Sequence, residues 1–306
     1  MDLKTCKLYG IKRKRDLFSL LGIRNIKEIQ NIINSYSPYI SKKNKRRLIE
    51  PVTSEKIKTI QKRIQIILNE IIFDDNVFSG TRGKSYISNG KYHIGNKYVV
   101  ALDISKFFPN TGRGKIFNFF KNDLCVESDV AKLLTDICTV DLEIIKNIDT
   151  EVNTFISEKK IKHLKHIPTG SAISCILSYL ANYKMFNEIS EIAQKQECKC
   201  SIYVDDVVVS SQKIINKNLI NKIISIINQN GYKIQKSKLR FYQNGEFKRI
   251  TGNVLAKDGR ILVIPNKIRR KMIQTNRNNN IDFITKANKI RGLNQVVHQI
   301  NIVNNM

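Results

Sequence analysis

Two adjacent carboxylates, Asp205 and Asp206, interrupt the strongly β-forming run CSIYVDDVVVSS at residues 200–211. Aspartate is a poor strand residue, costly to bury without a partner, and two side by side repel. Such a pair makes sense at a tight hairpin tip where a divalent cation screens it. From this segment alone, a solvent-exposed Asp-Asp turn is an equal reading. A third carboxylate, Asp103, ends another apolar β run within YVVALDISKFF at residues 98–108. An antiparallel sheet could bring the ends of the two runs together. Asp103 and Asp205 would then hold two Mg²⁺ about 3.5–4 Å apart, one activating a 3′-hydroxyl and one holding a triphosphate, with Asp206 in support. The chemistry is metal-assisted phosphoryl transfer.

The elements that must position these groups follow from hydrophobic periodicity. Residues 11–34 read as one or two short helices, and the basic segment 41–51 as strand-like up to Pro51. Ile57, Ile60, Ile64, Leu68 and Ile71 recur every three or four residues, which predicts an amphipathic helix over 56–72. The Gly/Ser-rich stretch 79–90 carries Arg82 and Lys84 and reads as a loop suited to phosphates. Residues 111–166 read as largely helical. PTGSAIS at 168–174 opens a further long helix with Ser171 as its N-cap. Runs 200–204 and 207–211 are two strands around the Asp pair, and 219–232 is a helix stopped at Gly231. Strands follow over 238–265 and a basic helical tail over 266–306. The fold class is α+β, a mostly antiparallel sheet covered by helices on one face.

Charge narrows the partner. The chain has 306 residues, with 53 Lys and Arg against 26 Asp and Glu, a net +27. The first 65 residues carry 17 basic and 5 acidic side chains, and the last 56 carry 10 and 2. A chain this basic at both ends calls for a polyanion, and nucleic acid is the usual one because each neutralised phosphate releases a counterion. No apolar run is long enough for a membrane span and no apolar leader precedes the basic start, so a cytoplasmic protein without a membrane partner is expected. The six cysteines are scattered and read as free thiols. His163 and His166 in KHLKH read as surface residues, and their spacing matches no zinc finger.

At this point the motifs resemble those of reverse transcriptases. DISKFF, then PTGSAIS about 65 residues on, then YVDD resemble motifs A, B and C of that family. KKNKRRLIEPVTSEKIKTIQKRI (42–64) and SGTRGKSYISN (79–89) resemble its two fingers blocks. GYKIQKSKLRF (231–241) resembles its motif D. NGKYH (89–93), ITG (250–252), VIPNKIRRKM (263–272) and ANKIRGLNQVVHQIN (287–301) resemble elements of the bacterial retron type. Gly90 stands where Ala is usual in that type, Ile250 where Val is, and Val204 where Ala is frequent. Motif B has Thr169 where many relatives have Gln.

The resemblance implies a right-hand polymerase fold with fingers, an antiparallel-sheet palm and a small helical thumb. Residues 1–40 would be an N-terminal helical extension, 41–97 fingers, 98–265 palm with a helical insert 111–167 shared with the fingers, and 266–306 thumb. It implies Asp103, Asp205 and Asp206 as catalytic metal ligands, with the backbone carbonyl of Ile104 as another, for two Mg²⁺ that Mn²⁺ can replace. Phe108 would lie under the sugar and exclude a 2′-hydroxyl. Lys45, Arg47 and Arg82 would pair with the triphosphate. Thr169 and Gly170 would line the nascent pair, and Lys238, with Lys236 as a rival by spacing, would orient or protonate the leaving pyrophosphate. Asn89 and His93 would support structure or touch RNA, and Arg269, Arg270 and Lys271 would grip it. The implied partners are dNTPs, a structured noncoding RNA as template and primer, its DNA product and, in many members, a separate effector protein serving phage defence. An RNA-dependent RNA polymerase and a template-independent defence enzyme are the rival readings.

Overall fold

The computed structural model describes residues 1–42, 46–278 and 280–305. A single 3₁₀ turn precedes α1 (Lys14–Leu21) and α2 (Ile26–Ile32). The hairpin β1 (Tyr39–Ser41) and β2 (Arg47–Ile49) leads into α3 (Glu55–Leu68), capped by the Ser54 hydroxyl. Its stripe at three- and four-residue spacing is buried, from Ile57 through Ile60 and Ile64 to Leu68. Each such fully buried side chain contributes about 1.5–3 kcal/mol. A short helix, α4 (Tyr86–Tyr92), precedes β3 (Tyr98–Asp103). Then come α5 (Phe107–Asn110), α6 (Arg113–Asn118) and a π turn, followed by α7 (Ser128–Cys138), β4 (Val140–Asp141), α8 (Thr150–Lys159) and β5 (Lys165–His166). Two helices, α9 (Ser174–Leu180) and α10 (Tyr183–Gln194), lead to the hairpin β6 (Lys199–Tyr203) and β7 (Asp206–Ser211) and to α11 (Lys217–Gln229). The remainder is β8 (Arg240–Tyr242), β9 (Lys248–Ile250), β10 (Asn253–Leu255), β11 (Leu262–Val263), α12 (Asn266–Arg277) and α13 (Phe283–Asn304).

The central sheet has the order β6-β7-β3-β8 with every pair antiparallel. Alternation along β3 and β7 sends Val100, Leu102, Val207 and Val209 into the large core shared with the helices. Val99 and Val208 face the other way. They pack in a second, smaller core with Ile87 of α4, Ile250, Leu255, Leu262 and Ile300 of α13. The sheet is therefore covered on both faces, in contrast to the one-sided cover expected from sequence. Residues 76–78 bond to Ile202 of β6, which closes that edge of the sheet. No helix among the described residues is long and apolar enough to cross a membrane.

Three local expectations are corrected. The helix expected from residue 168 begins at Ser174, because the backbone of Thr169 is tied to Glu50 and cannot enter it. That helix also breaks at Asn182, whose side chain bonds to the Ser178 carbonyl and to the Tyr232 hydroxyl. The second part of the loop expected over 79–90 is helix α4 (Tyr86–Tyr92), closed at its start by a reciprocal Ser85–Ser88 capping box.

Candidate active site

β3 and β7 run in register from Tyr98 opposite Ser211 to Asp103 opposite Asp206. Because cross-strand partners share a face, the two carboxylates leave the sheet on the same side. The β6–β7 connection has only two residues, Val204 and Asp205. Val204 adopts φ 57°, a left-handed conformation that a β-branched residue resists. The Ser79 hydroxyl accepts its N–H at 2.7 Å and holds the tip in place. The Ile104 N–H donates to the Asp205 carbonyl at 2.8 Å, so β3 and the tip are locked together at the carboxylates. On the far edge Gln235 N–H donates to the Asp103 carbonyl, and Ser105 N–H to the Lys233 carbonyl.

The electrostatics are those of a site short of positive charge. Burial, with Asp205 and Asp103 beside it, pushes the Asp206 carboxyl up to about 7. Burial and the neighbouring Asp103 also raise Asp205, against Lys238 and Arg47, which lower it. The Lys238 ammonium pairs directly with Asp103 Oδ2. Among the described residues no three His, Cys, Asp or Glu side chains converge as a ready-made metal cage. The donors nevertheless fit hard divalent cations. They are carboxylate oxygens that repel one another on one face, and an ammonium already sits on one of them.

This repulsion has a measurable consequence. Above pH 7 the metal-free fold carries an ionised Asp206 that the unfolded chain would tolerate better, so the group subtracts stability there. In EDTA, Asp206→Asn is expected to gain on the order of 2 kcal/mol, about 4–8 °C in melting temperature. The gain should shrink as pH falls below about 7 toward about 4, because the folded carboxyl is then protonated and the unfolded one approaches its own titration at about 3.9. Thermal melts from pH 4 to 8 check this; a variant that melts no higher at pH 8 removes the repulsion.

Around the trio, Phe108 lies half-buried on the one-turn helix α5, while Phe107 is buried against Phe186 and Tyr232, with ring centroids at 5.9 and 5.4 Å. The two rings diverge by one helical step. Arg47 opens β2, exposed and close enough to act on Asp205. Arg82 is exposed in a turn whose backbone is held by Asn69. Lys45 lies outside the described residues. Thr169 is half-buried, and Gly170 has φ 112°, which a side chain would strain. Lys238, not Lys236, reaches the carboxylates; Lys236 is exposed. Arg269, Arg270 and Lys271 are exposed on α12, away from the trio in sequence and free to meet a polyanion.

Of the two readings for Asn89 and His93, support of the structure and contact with RNA, burial favours the first and leaves no surface for the second. Asn89 and His93 are fully buried. The His93 ring lies between the Ser210 and Ser201 hydroxyls at 2.7 Å each, and burial pushes it down to about 3, so it is neutral. Asn89 Nδ2 donates to the Thr251 hydroxyl at 2.8 Å, and that hydroxyl in turn acts on Asp206. Thr251 and Gly252, at φ 44° and 89°, form the primed turn between β9 and β10. These two motifs thus brace the β6–β7 hairpin from behind.

Sequence reasoning missed a second buried group. Glu50 and His166 are both fully buried and pair at 2.9 Å, so His166 is not a surface residue. Glu50, a lone acid after five basic residues, was the available signal. Gln61 on α3 was equally unremarked, yet it is buried and accepts from the Ser171 hydroxyl at 2.6 Å.

Comparison with known proteins places the chain in a family. Residues 40–280 match the family described as reverse transcriptase (RNA-dependent DNA polymerase). The chain is 26% identical over 204 residues to the Retron Se72 reverse transcriptase of Salmonella heidelberg (strain 579083-10), covering 64% of this chain and 46% of that one. It is 24% identical over 224 residues to the Retron Ec48 reverse transcriptase of Escherichia coli, covering 71% and 48%. The matches thus span about half the length of these curated relatives.

Proposed function

Because the chain belongs to the reverse transcriptase family, we propose that it is an RNA-directed DNA polymerase of the retron type. It copies part of a structured noncoding RNA, which also serves as primer, into single-stranded DNA from dNTPs, in the cytoplasm and in defence against phage with a separate effector protein. The observation that carries this reading is the register pair Asp103–Asp206 with Asp205 at the adjoining tip. In this assignment residues 41–97 are fingers, 98–265 palm, 266–306 thumb and 1–40 an extension.

The residues that would hold the metals are Asp103, Asp205 and Asp206, with the Ile104 carbonyl beside them. Bound there, two Mg²⁺, or Mn²⁺ in their place, would supply activation of the primer 3′-hydroxyl and neutralisation of the triphosphate. Asp103 must first release Lys238, whose ammonium is then free to steady or protonate the leaving pyrophosphate. Arg47, Arg82 and Lys45 pair with the triphosphate, Thr169 and Gly170 line the nascent base pair, and Phe108 closes the space beside C2′. Asn89 and Thr251 hold Asp206, and His93 holds the strands beneath it.

Extension of oligo(dT) on poly(rA) by the purified protein with dTTP and Mg²⁺ tests the reading, with rUTP as the matched control. Extension with dTTP that EDTA stops is expected. Extension that favours rUTP, or needs no template, would replace this reading with one of its rivals. Sequencing the nucleic acid that copurifies should return one structured RNA joined to DNA.

The surface of α12 gives a quantitative expectation. Replacing Arg269, Arg270 and Lys271 by Gln should weaken RNA binding and flatten its salt dependence by up to about 3 units, at about 0.9 per lost phosphate contact. Titrations at several salt concentrations measure the slope; an unchanged slope means these side chains only meet solvent.

A further inference from the structure

The connection between β5 and α9 carries Thr169 and Gly170, and it has no regular structure of its own. A loop of this kind, left to itself, would sample many conformations. Here it is bolted to the β1–β2 hairpin at the residue after β2. Glu50 N–H donates to the Thr169 carbonyl at 2.7 Å, and Thr169 N–H donates to Glu50 Oε2 at 2.9 Å. The same carboxylate turns its other oxygen, Oε1, to His166 Nε2 at 2.9 Å. His166 Nδ1 faces the His163 carbonyl at 2.6 Å, and since a carbonyl only accepts, Nδ1 carries a proton. One further proton bridges Nε2 and Oε1. Glu50 and His166 are both 0% exposed.

A fully buried acid–base pair is costly, and replacing one with apolar residues is often neutral or stabilising. Stability alone therefore explains the pair poorly. What it does accomplish is directional. Both backbone groups of Thr169 are consumed by Glu50, through its N–H and Oε2, while His166 holds the carboxylate from its other oxygen. Arg47 opens β2 and Glu50 directly follows it, so the strand bearing a triphosphate candidate and the loop lining the base pair become one rigid body. A second tether acts two residues on: the Ser171 hydroxyl donates to Gln61 Oε1 at 2.6 Å, and Gln61 Nε2 donates to the Ile137 carbonyl at 2.8 Å.

We propose that the buried Glu50–His166 pair is a positioning unit that presets the nucleotide pocket, holding Thr169 and Gly170 at a fixed offset from Arg47 so that the incoming dNTP meets a preformed site. The inference rests on the polymerase reading above. Neither residue touches the nucleotide; both act through Thr169.

The chemistry selects the variants. In Glu50→Gln the amide oxygen can still accept from Thr169 N–H, while the amide nitrogen donates to a neutral His166 Nε2, so every bond survives without charge. Glu50→Asp keeps the charge but withdraws the carboxylate by one methylene from Thr169. On poly(rA)·oligo(dT), Glu50→Asp should raise the KM for dTTP at least fivefold with kcat within about twofold of wild type. Glu50→Gln should leave both within about twofold. A folded Glu50→Asp protein with unchanged KM, or one that loses only kcat, overturns the proposal. Should Glu50→Asp fail to fold, hydrogen exchange of the wild-type Thr169 amide decides: protection comparable to α9 is expected, and exchange as fast as in an exposed loop overturns it. Wild type that extends no primer at all defeats the polymerase reading, which separates the two failures.

Discussion

Asp205→Asn combined with Asp206→Asn abolishes primer extension, a loss on the order of 10³-fold or more, while RNA affinity stays within about twofold of wild type. The two properties have different physical sources. In the proposed mechanism, extension needs carboxylate oxygens facing one another at the ends of β3 and β7, where Asp103 and Asp206 are register partners. RNA affinity is expected from the 53 Lys and Arg side chains spread over the whole chain, which neither substitution touches. Asparagine is nearly isosteric and relieves the repulsion that raises Asp205 and Asp206, so the fold should persist. Primer extension and filter binding on the same preparation separate the two. Undiminished extension by the double variant would remove the metal assignment.

Phe108→Ala should admit rNTPs markedly while dNTP incorporation falls less. Phe108 lies five residues beyond Asp103, at the start of α5, and stays half-buried while its neighbour fills the core. A ribose 2′-oxygen overlapping that ring would cost repacking of about 1–3 kcal/mol. At ~1.4 kcal/mol per tenfold in rate, the ring accounts for discrimination of roughly ten- to a few hundredfold. Phe107→Ala should leave sugar choice intact and instead destabilise the protein by about 3–5 kcal/mol, since it empties a site packed by Phe186 and Tyr232. Single-nucleotide extension with matched dTTP and rUTP on both variants checks this. Relaxed selectivity in Phe107→Ala alone would mean that the gate is one residue earlier than assigned.

What could be read from sequence was local and periodic. The α3 stripe, the paired strands flanking Asp205 and Asp206, and the α11 stop at Gly231 all follow from residue spacing and from turn chemistry within a dozen residues. What could not be read depended on partners far along the chain. Nothing near His166 announces that Glu50, 116 residues away, will bury it. Nothing in NGKYH announces that Ser201 and Ser210 will enclose His93, or that Asn89 will meet Thr251. β3 ends at Asp103, and Lys106, at φ 52°, then turns the chain into the four-residue helix 107–110, which no residue spacing announced. Asn89 and His93, polar residues that look like contacts for a ligand, are spent on holding the sheet.

β3 occupies the middle of the central sheet, yet both of its neighbours, β7 and β8, are synthesised after it. Asp206 is made about a hundred residues after Asp103, a wait of about 5–20 s at 5–20 residues per second on the ribosome. For that interval the run Tyr98–Asp103 has two unpaired edges and an apolar face, the profile of a segment that joins other chains. Slow synthesis or a crowded polysome should therefore send this protein into aggregates through β3 before its chemistry exists. A holdase that covers residues near 98–103 should raise the yield of active enzyme more than one acting on the finished fold.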